Sequence, residues 1–334
     1  MGYDYALFII NLKIVTDSTI NTHEQVILEK LEKRLGRMHA RLRLGIENEN
    51  EQRIFGGGLN FFHIENWYSI HSVIRNSLRL SGLYWRGCKN TMRIKIQHND
   101  IKLAGLPLAF DGYTILHISD MHVDINHGAM HRLVEILFDL DYDLCVLTGD
   151  YRGKTYGPIE KTIECMASVR SHIKDNIYAV LGNHDTIRLV PSFEDMGITM
   201  LLNESVTIER DNTCIHLVGI DDAHYYRMDN IEKATSGIPH DEISILLSHT
   251  PEIYRQAAHA DFNVLLAGHT HGGQICLPGQ IPITLDAKLP RYMGSGPWQY
   301  HNLIGYTSAG VGSSVVTVRF NCLPEITLHH LKCS

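Results

Sequence analysis

This chain has no CxxC pair, no apolar run long enough to span a bilayer, no internal repeat and no low-complexity tract. Each absence removes a class. Seven cysteines, at 88, 145, 165, 214, 276, 322 and 333, follow no regular spacing. An odd, scattered set argues for a reducing compartment rather than a disulfide framework. Cys145, Cys214 and Cys276 lie in apolar runs, where cysteine acts as a small buried hydrophobe. No window reaches the roughly eighteen apolar residues of a membrane helix. The stretch Ala6 to Val15 is interrupted by Asn11 and Lys13 and has no basic leader or cleavage site, so no signal peptide is expected. Met1-Gly2 lacks a Ser or Thr at position 6, so myristoylation is not expected either. The expected location is the cytoplasm, without an integral anchor.

What is present is 334 residues, 44% hydrophobic and 20% charged, enough to bury a real core in one large domain or two smaller ones. Charge is uneven. Residues 1–100 carry 14 Lys+Arg and 10 Asp+Glu, a net of +4; the whole chain is -7, which leaves -11 for residues 101–334. The basic excess peaks at Lys30, Lys33, Arg34, Arg37, Arg41 and Arg43, against Glu32. An acidic body with a basic arm points to an anionic surface or partner for that arm.

Along the chain, Leu28, Leu31, Leu35, Met38 and Leu42 form a helical stripe between His23 and Ile46. Such a helix packs on the body or a second subunit, or lies on anionic lipid. Phe55-Gly56-Gly57-Gly58 is a break, and Leu59 to Gly87 is rich in aromatics, including Phe61, Phe62, Trp67, Tyr68, Tyr84 and Trp85. Trp67, Ile70, Val73, Ile74 and Leu78 recur at helical spacing, with Arg75, Arg79 and Arg86 among them. That composition suits a membrane surface or an interface with the main domain. Residues 1–90 are therefore read as a helical extension, a membrane or partner arm acting through residues 23–87. Residues 91–334 are read as the catalytic domain.

From Thr91 the texture changes. Met92 to Gln97 alternates like a half-buried strand. Three apolar strands follow, Tyr113–Ile118, Asp143–Leu147 and Ile177–Leu181, separated by helices over Ala129–Leu140 and Ile159–Ile173. Strand–helix alternation implies a parallel sheet, whose sites gather at the carboxyl ends of its strands. The second half reads as β: Thr213–Gly219, Ile243–Leu247, Phe262–Ala267, Leu303–Thr307, Val315–Phe320 and Ile326–Leu331, a second sheet packed on the first. Pro251 suits the first turn of a helix to His259. Leu277 to Asn302 reads as a pocket-shaping loop with Tyr292, Trp298 and Tyr300.

The strand ends carry Asp120, His122, Asp150, Asn183, His184, His249, His269 and His271. If strand geometry persists past Gly268, His269 and His271 point the same way. All eight offer N or O, and none is Cys, which favours Mn²⁺, Fe or Zn²⁺. Eight groups exceed what one tetrahedral ion needs. They suit two ions, with the two oxygens of Asp150 as the natural bridge.

Asp120-Met121-His122, Gly149-Asp150, Gly182-Asn183-His184-Asp185, Ser248-His249 and Gly268-His269-Thr270-His271, in this order, resemble the five-part signature of the calcineurin-like metallophosphoesterases. Gly272-Gly273-Gln274 and the tail, Ser308–Ser314 and Leu323–Thr327, resemble its YkuE-like bacterial branch. The resemblance implies a four-layer αββα sandwich over residues 91–334, with the helical extension before it. It also implies two divalent ions, Mn²⁺ first, with Fe or Zn²⁺ as alternatives. Asp120, His122 and His271 would hold one ion, and Asn183, His249 and His269 the other, with Asp150 shared. A metal-bridging hydroxide would attack phosphorus, and His184 would bind phosphate and protonate the leaving oxygen. The protein Ser/Thr phosphatase branch has an Asp three residues after the bridging Asp, where this chain has Gly153. The imidazole of His184 must then be held otherwise, and a phosphoprotein substrate is disfavoured. Arg152 either makes a bidentate contact to a second phosphate or is a surface residue paired with an acid.

The expected activity is hydrolysis of a phosphodiester or diphosphate, including lipid-linked ones such as UDP-2,3-diacylglucosamine, by a peripheral protein on the inner membrane face. A nuclease or general phosphomonoesterase of the same fold is the enzymatic alternative. A non-catalytic scaffold is the other, and no ligand position is missing to favour it. No nucleic-acid partner is expected, because the catalytic part is acidic. Oligomeric state is left open.

Overall fold

Short runs of Leu, Ile and Val, cut by polar turns, set the architecture. The computed structural model describes residues 24–55, 68–174, 176–314 and 316–334. Helices α1 (24–35), α2 (Arg37–Phe55), α3 (Tyr68–Leu80) and α4 (Tyr84–Asn90) lead the described chain. Next come β1 (Lys95–Leu103), β2 (Thr114–Ile118), α5 (His127–Leu137), β3 (Leu144–Leu147), α6 (Glu160–Arg170), β4 (Ile177–Ala179) and α7 (Val190–Asp195). They are followed by β5 (Ile198–Met200), β6 (Glu204–Arg210), β7 (Thr213–Gly219), α8 (Ile231–Ala234), β8 (Ser244–Leu247), α9 (Tyr254–His259) and β9 (Val264–Ala267). The last elements are β10 (Cys276–Leu277), β11 (Ile281–Pro282), β12 (Gly296–Tyr300), β13 (Leu303–Thr307) and β14 (Glu325–Cys333).

Two six-stranded sheets result, in the orders β1-β14-β2-β3-β4-β5 and β12-β13-β9-β8-β7-β6. Side chains alternate across each strand, and each face finds its own core. Ile115, Leu144, Val146, Ile245, Leu247, Val264 and Leu266 meet between the sheets. Leu116, Ile118, Cys145 and Leu147 face the other way, onto α5, α6 and α7. Leu246 and Leu265 face α9 on the far side. With both faces of the central strands covered, these runs are continuously apolar. Each fully buried aliphatic side chain contributes about 1.5–3 kcal/mol. The architecture is a four-layer αββα sandwich.

Several local expectations differ from the structure. The N-terminal stripe does not run through one helix. Gly36 takes φ +86° and separates α1 from α2, turning the buried face. Leu31 and Leu35 are buried on α1, but Met38 and Leu42 are exposed, and α2 buries Ala40, Arg43 and Glu47 instead. Leu277 to Asn302 is not one loop. It contains the hairpin β10–β11 and the strand β12, which pairs with β13. Trp298 is buried there and donates to Thr307 Oγ1 at 2.9 Å. Of the strand expected over Val315–Phe320, residues 316–320 form no ladder: 316–317 bend, Arg319 is carried inward, and Phe320 makes only an isolated bridge to Ile275; residue 315 lies outside the described residues. Residues 1–23 and 56–67, including the glycine break and Phe61, Phe62 and Trp67, lie outside the described residues. Among the described residues no helix is long and apolar enough to cross a membrane.

α1 and α2 pack on the same core as Leu116, Ile118 and Phe193. Two of their basic residues, Arg34 and Arg43, are spent on the body. Arg34 binds Glu194 and Glu204, each at 2.7 Å. Arg43 is fully buried; it pairs with Glu47 at 3.0 Å and Asp221 at 3.4 Å and stacks 3.2 Å from the Tyr226 ring centroid. It also donates to the Asp185 carbonyl at 3.0 Å. Glu47 in turn accepts from the Thr186 hydroxyl and, at 2.8 Å, from the Ile187 amide. Removing one partner of a buried ion pair leaves an uncompensated charge, at a cost of about 3–5 kcal/mol. Arg43→Met should therefore lose about that much stability in urea unfolding followed by circular dichroism. A midpoint equal to that of the parent would show that the cluster contributes nothing.

Candidate dimetal centre

Parallel pairing lines up the carboxyl ends of β2, β3 and β4 in one sheet, and of β8 and β9 in the other. The residues that follow them meet at the seam. Asp120, His122, Asp150, Asn183, His184, His249, His269 and His271 are all buried there. Asp120, His122, Asp150, His269 and His271 take φ of +50°, +41°, +56°, +70° and +49°. A non-glycine residue in this region costs about 1–2 kcal/mol, and such strain concentrates at functional sites. Two glycines make the approach feasible. A Cβ on Gly268 would lie 1.8 Å from Ser119 Oγ, and one on Gly182 would lie 2.2 Å from Asp150 Oδ1.

The donors form two groups. Ligand atoms of Asp120, His122 and His271 lie within 4.8 Å of one another, and so do those of Asp120, Asp150 and His249. Asp150 Oδ2 is 3.9 Å from His122 Nε2 and 3.4 Å from His249 Nε2, so it stands between them. Asn183 Oδ1 is 2.9 Å from His249 Nε2. The His269 ring packs 5.0 Å from that of His249. His269 and His271 thus do not point to one place by strand alternation. β9 ends at Ala267, and the left-handed turn sends His271 to His122 and His269 to His249.

These residues fit divalent cations. His122 and His249 each donate Nδ1–H to a backbone carbonyl at 2.7 Å, of Arg152 and Thr148 respectively, which turns Nε2 inward as the nitrogen a cation would meet. His269 Nε2 is buried without a hydrogen-bond partner. Burial pushes the His122 imidazole down to about 4, and those of His269 and His271 well below the usual histidine range. Neutral imidazoles are what a metal requires. His249 behaves oppositely: burial lowers it, but the Asp150 carboxylate prevails and raises it to about 10. Burial also pushes Asp120 up to about 6, with Asp150 adding to it.

A hydrogen-bonded chain braces Asp120 from behind. Ser119 Oγ donates to Asp120 Oδ2 at 2.6 Å, and Thr148 Oγ1 donates to Ser119 Oγ at 2.7 Å. With its proton so used, Thr148 accepts from His117 Nε2 at 2.8 Å. His117 Nδ1 then accepts from His329 Nε2 at 3.2 Å, and His329 Nδ1 from Asn99 Nδ2 at 3.0 Å. Both histidines are fully buried, and burial lowers His117 to about 3. They serve the carboxylate, not a metal.

Several participants were not singled out by sequence. Thr155 Oγ1 lies 3.1 Å from His184 Nδ1, so a threonine steadies the ring that lacks an acidic partner at Gly153. The Asp185 carboxylate accepts from the amides of Asp150 (2.7 Å), Gly182 (2.8 Å) and Tyr151 (2.9 Å) and ties two of the loops together. Buried Arg319 donates to the His271 carbonyl at 3.0 Å and to that of Gly312 at 2.6 Å. His224, held by Glu252 at 2.7 Å, packs 4.3 Å from the His269 ring. Asp221, Asp222 and His224 follow the end of β7, so the strand-end rule would have reached them. Arg152 departs from both of its expected roles. It is buried, and its terminal nitrogens donate to the carbonyls of Thr155 at 3.2 Å and Gly157 at 2.9 Å. A buried guanidinium needs such acceptors. Arg152 clasps the 155–158 loop instead of offering a fork to phosphate.

Comparison with known proteins bears on the chemistry. A model of the family described as calcineurin-like phosphoesterase matches residues 113–273. The chain is 30% identical over 258 residues to the uncharacterized metallophosphoesterase YkoQ of Bacillus subtilis, across 74% of this chain and 94% of that one. It is 28% identical over 250 residues to the metallophosphoesterase YkuE of the same organism, across 72% and 86%. It is 25% identical over 232 residues to the phosphodiesterase YaeI of Escherichia coli, across 66% and 82%. With strand-end donors of the matching types gathered at one buried seam, the chain belongs to the calcineurin-like metallophosphoesterases, in the branch of YkoQ and YkuE, and is a phosphoester hydrolase.

Proposed function

We propose that the protein hydrolyses a P–O bond of a small phosphodiester or diphosphate carried on a lipid, of the class of UDP-2,3-diacylglucosamine, using two Mn²⁺ ions. The convergence of seven N and O donors from five strand ends carries this reading. Asp120, His122 and His271 hold one ion; Asn183, His249 and His269 hold the other; Asp150 is shared. When bound, such a pair stabilises charge on phosphoryl oxygens and lowers the pKa of water toward about 7. His184, its ring steadied by Thr155, hydrogen-bonds the phosphate and protonates the leaving oxygen. The amides of His184 and His269 hold the Asp150 and Asp120 carboxylates, at 2.9 and about 3.0 Å, so these do not swing as charge moves.

Two features favour a lipid-linked diester or diphosphate. Gly153 removes the acidic partner of the protein phosphatase pattern. The exposed face of α3–α4 shows Leu80 at 90% and Trp85 at 77% exposure, beside Arg79 and Arg86. Apolar side chains next to cationic ones suit an anionic membrane surface. α4 packs through Gly87 against Val318 and Phe320, which flank Arg319, so the membrane contact lies one packed layer from His271.

Asp150→Asn should lower Mn²⁺-stimulated hydrolysis of bis-p-nitrophenyl phosphate about a hundredfold or more, and undiminished turnover would remove Asp150 as the shared ligand. Metal binding must release the His249 proton. Below the raised value of about 10 the metal-free site keeps that proton. Apparent Mn²⁺ affinity should therefore rise with pH, about tenfold per unit between roughly pH 6.5 and 8.5. Calorimetry in buffers of different ionisation enthalpy counts the proton; no release would exclude His249. Leu80→Asp with Trp85→Asp should weaken sedimentation with phosphatidylglycerol vesicles about tenfold or more while sparing bis-p-nitrophenyl phosphate turnover. Unchanged sedimentation would end the membrane assignment.

A further inference from the structure

Two thiols meet behind the turn that carries His271. Cys276 sits on β10, and Cys322 lies just before β14. The two segments are laced together: the Cys276 amide donates to Phe320 O at 2.9 Å, the Phe320 amide to Gln274 O at 3.1 Å, and Asn321 Nδ2 to Cys276 O at 2.8 Å. This lacing puts the two cysteines side by side, with their thiols in contact. Both also hold the same turn. Cys276 Sγ is 3.2 Å from the Gly272 carbonyl, and Cys322 Sγ is 3.3 Å from that of His271. Arg319 Nη1, which donates to the same His271 carbonyl, is 3.8 Å from Cys322 Sγ. Access is unequal. Cys276 is buried, whereas Cys322 is half-buried and lines an open polar cavity of about 400 Å³ with Arg86, Asn90, Ser295 and Asn321.

We propose that Cys276 and Cys322 form a modification site that takes a peroxide-class oxidant and closes to a disulfide, loosening the His271 turn. The oxidant reaches Cys322 through the cavity. The Cys322 sulfur attacks one peroxide oxygen, the O–O bond breaks, and sulfenic acid and one water result. The Cys276 sulfur then attacks the Cys322 sulfur and displaces the hydroxyl, which leaves as a second water with the Cys276 proton. Two thiols lose two electrons and two protons, and hydrogen peroxide becomes two waters. The disulfide has no S–H, so the carbonyls of His271 and Gly272 each lose a donor. In a reducing compartment such a bond is transient, as redox-sensing disulfides are.

The effect on metal binding rests on the dimetal reading above; the bond itself does not. Full-length protein is treated with a small excess of hydrogen peroxide, alkylated and digested without reductant. Mass spectrometry should find a Cys276–Cys322 cross-linked peptide that dithiothreitol abolishes, and Cys276→Ser should instead give a dimedone adduct on Cys322. A Cys322 that stays alkylatable while other cysteines oxidise would overturn the site. Equilibrium dialysis should show Mn²⁺ affinity about tenfold weaker after oxidation, restored by dithiothreitol and insensitive to peroxide in Cys322→Ser. A cross-link with unchanged affinity would overturn the coupling. Reduced protein that binds no Mn²⁺ would sink the dimetal reading, and the cross-linked peptide would still decide the thiol pair.

Discussion

Two carboxylates of like charge, Asp120 and Asp150, lie almost without solvent where the ends of two sheets meet. Burying one unpaired charge costs several kcal/mol, and two together cost more. Much of the surrounding structure lowers that cost. His269 and Ser119 donate to Asp120, and the His184 amide donates to Asp150. The His249 imidazole, pulled up by Asp150, supplies a positive charge. Left-handed backbone at five residues after three strands is the geometric consequence, because no extended chain could turn both carboxylates and histidines to one point. Cations held here would complete what the proton on His249 only begins. Two divalent ions would over-compensate two carboxylates and leave a positive surplus suited to phosphate.

With 21 histidines in the chain, the structure separates those that aim a ring nitrogen into the seam from those that brace it. His122 and His249 spend Nδ1–H on a backbone carbonyl and aim Nε2 inward. His117 and His329 have both nitrogens committed to a one-directional chain that ends on Asp120. Each bond in such a chain polarises the next, so Asn99 at one edge of the sheet helps fix the charge at its end. The same logic separates the buried arginines. Arg319 meets carbonyls of the His271 turn, Arg152 those of the 155–158 loop, and Arg43 meets carboxylates and the Asp185 carbonyl.

The layered fold and the residues at its seam were legible in sequence because two simple regularities govern them. Apolar runs such as Leu144–Leu147 and Val264–Ala267 alternate between two cores, and parallel strands put their polar followers at one edge. What was not legible depends on contacts distant in the chain. Gly36 reads as one more residue in a helical stripe until the body demands a different face from α2. Arg152 looks like a phosphate ligand until its loop folds back on it. Thr155 carries no signal by itself; it matters because position 153 is a glycine and offers the His184 Nδ1 no carboxylate, whereas Thr155 Oγ1 reaches it. Val315 to Phe320 has strand composition, but the acceptors that a buried Arg319 requires override its propensity. His224 would have been found had the end of β7 been treated like the other strand ends.

The N-terminal helices show how far the site extends. Division at residue 90 follows composition, yet Leu31, Leu35 and Ala40 sit in the same core as Leu116 and Phe193. Arg43 and Glu47 grip Asp185, Thr186 and Ile187, immediately after the Asn183-His184 pair. Asp185 in turn ties the Asp150 and Gly182 amides. A displacement of α2 would therefore be felt at Asp150 through two hydrogen bonds. α4 makes a matching contact on the other side, with Arg319 donating its amide to the Gly87 carbonyl at 3.1 Å. The strand-end loops are clamped between two parts of the N-terminal region. A surface that engages α3–α4 thus needs no long-range pathway to influence the His271 turn, because Gly87 and Arg319 already connect them.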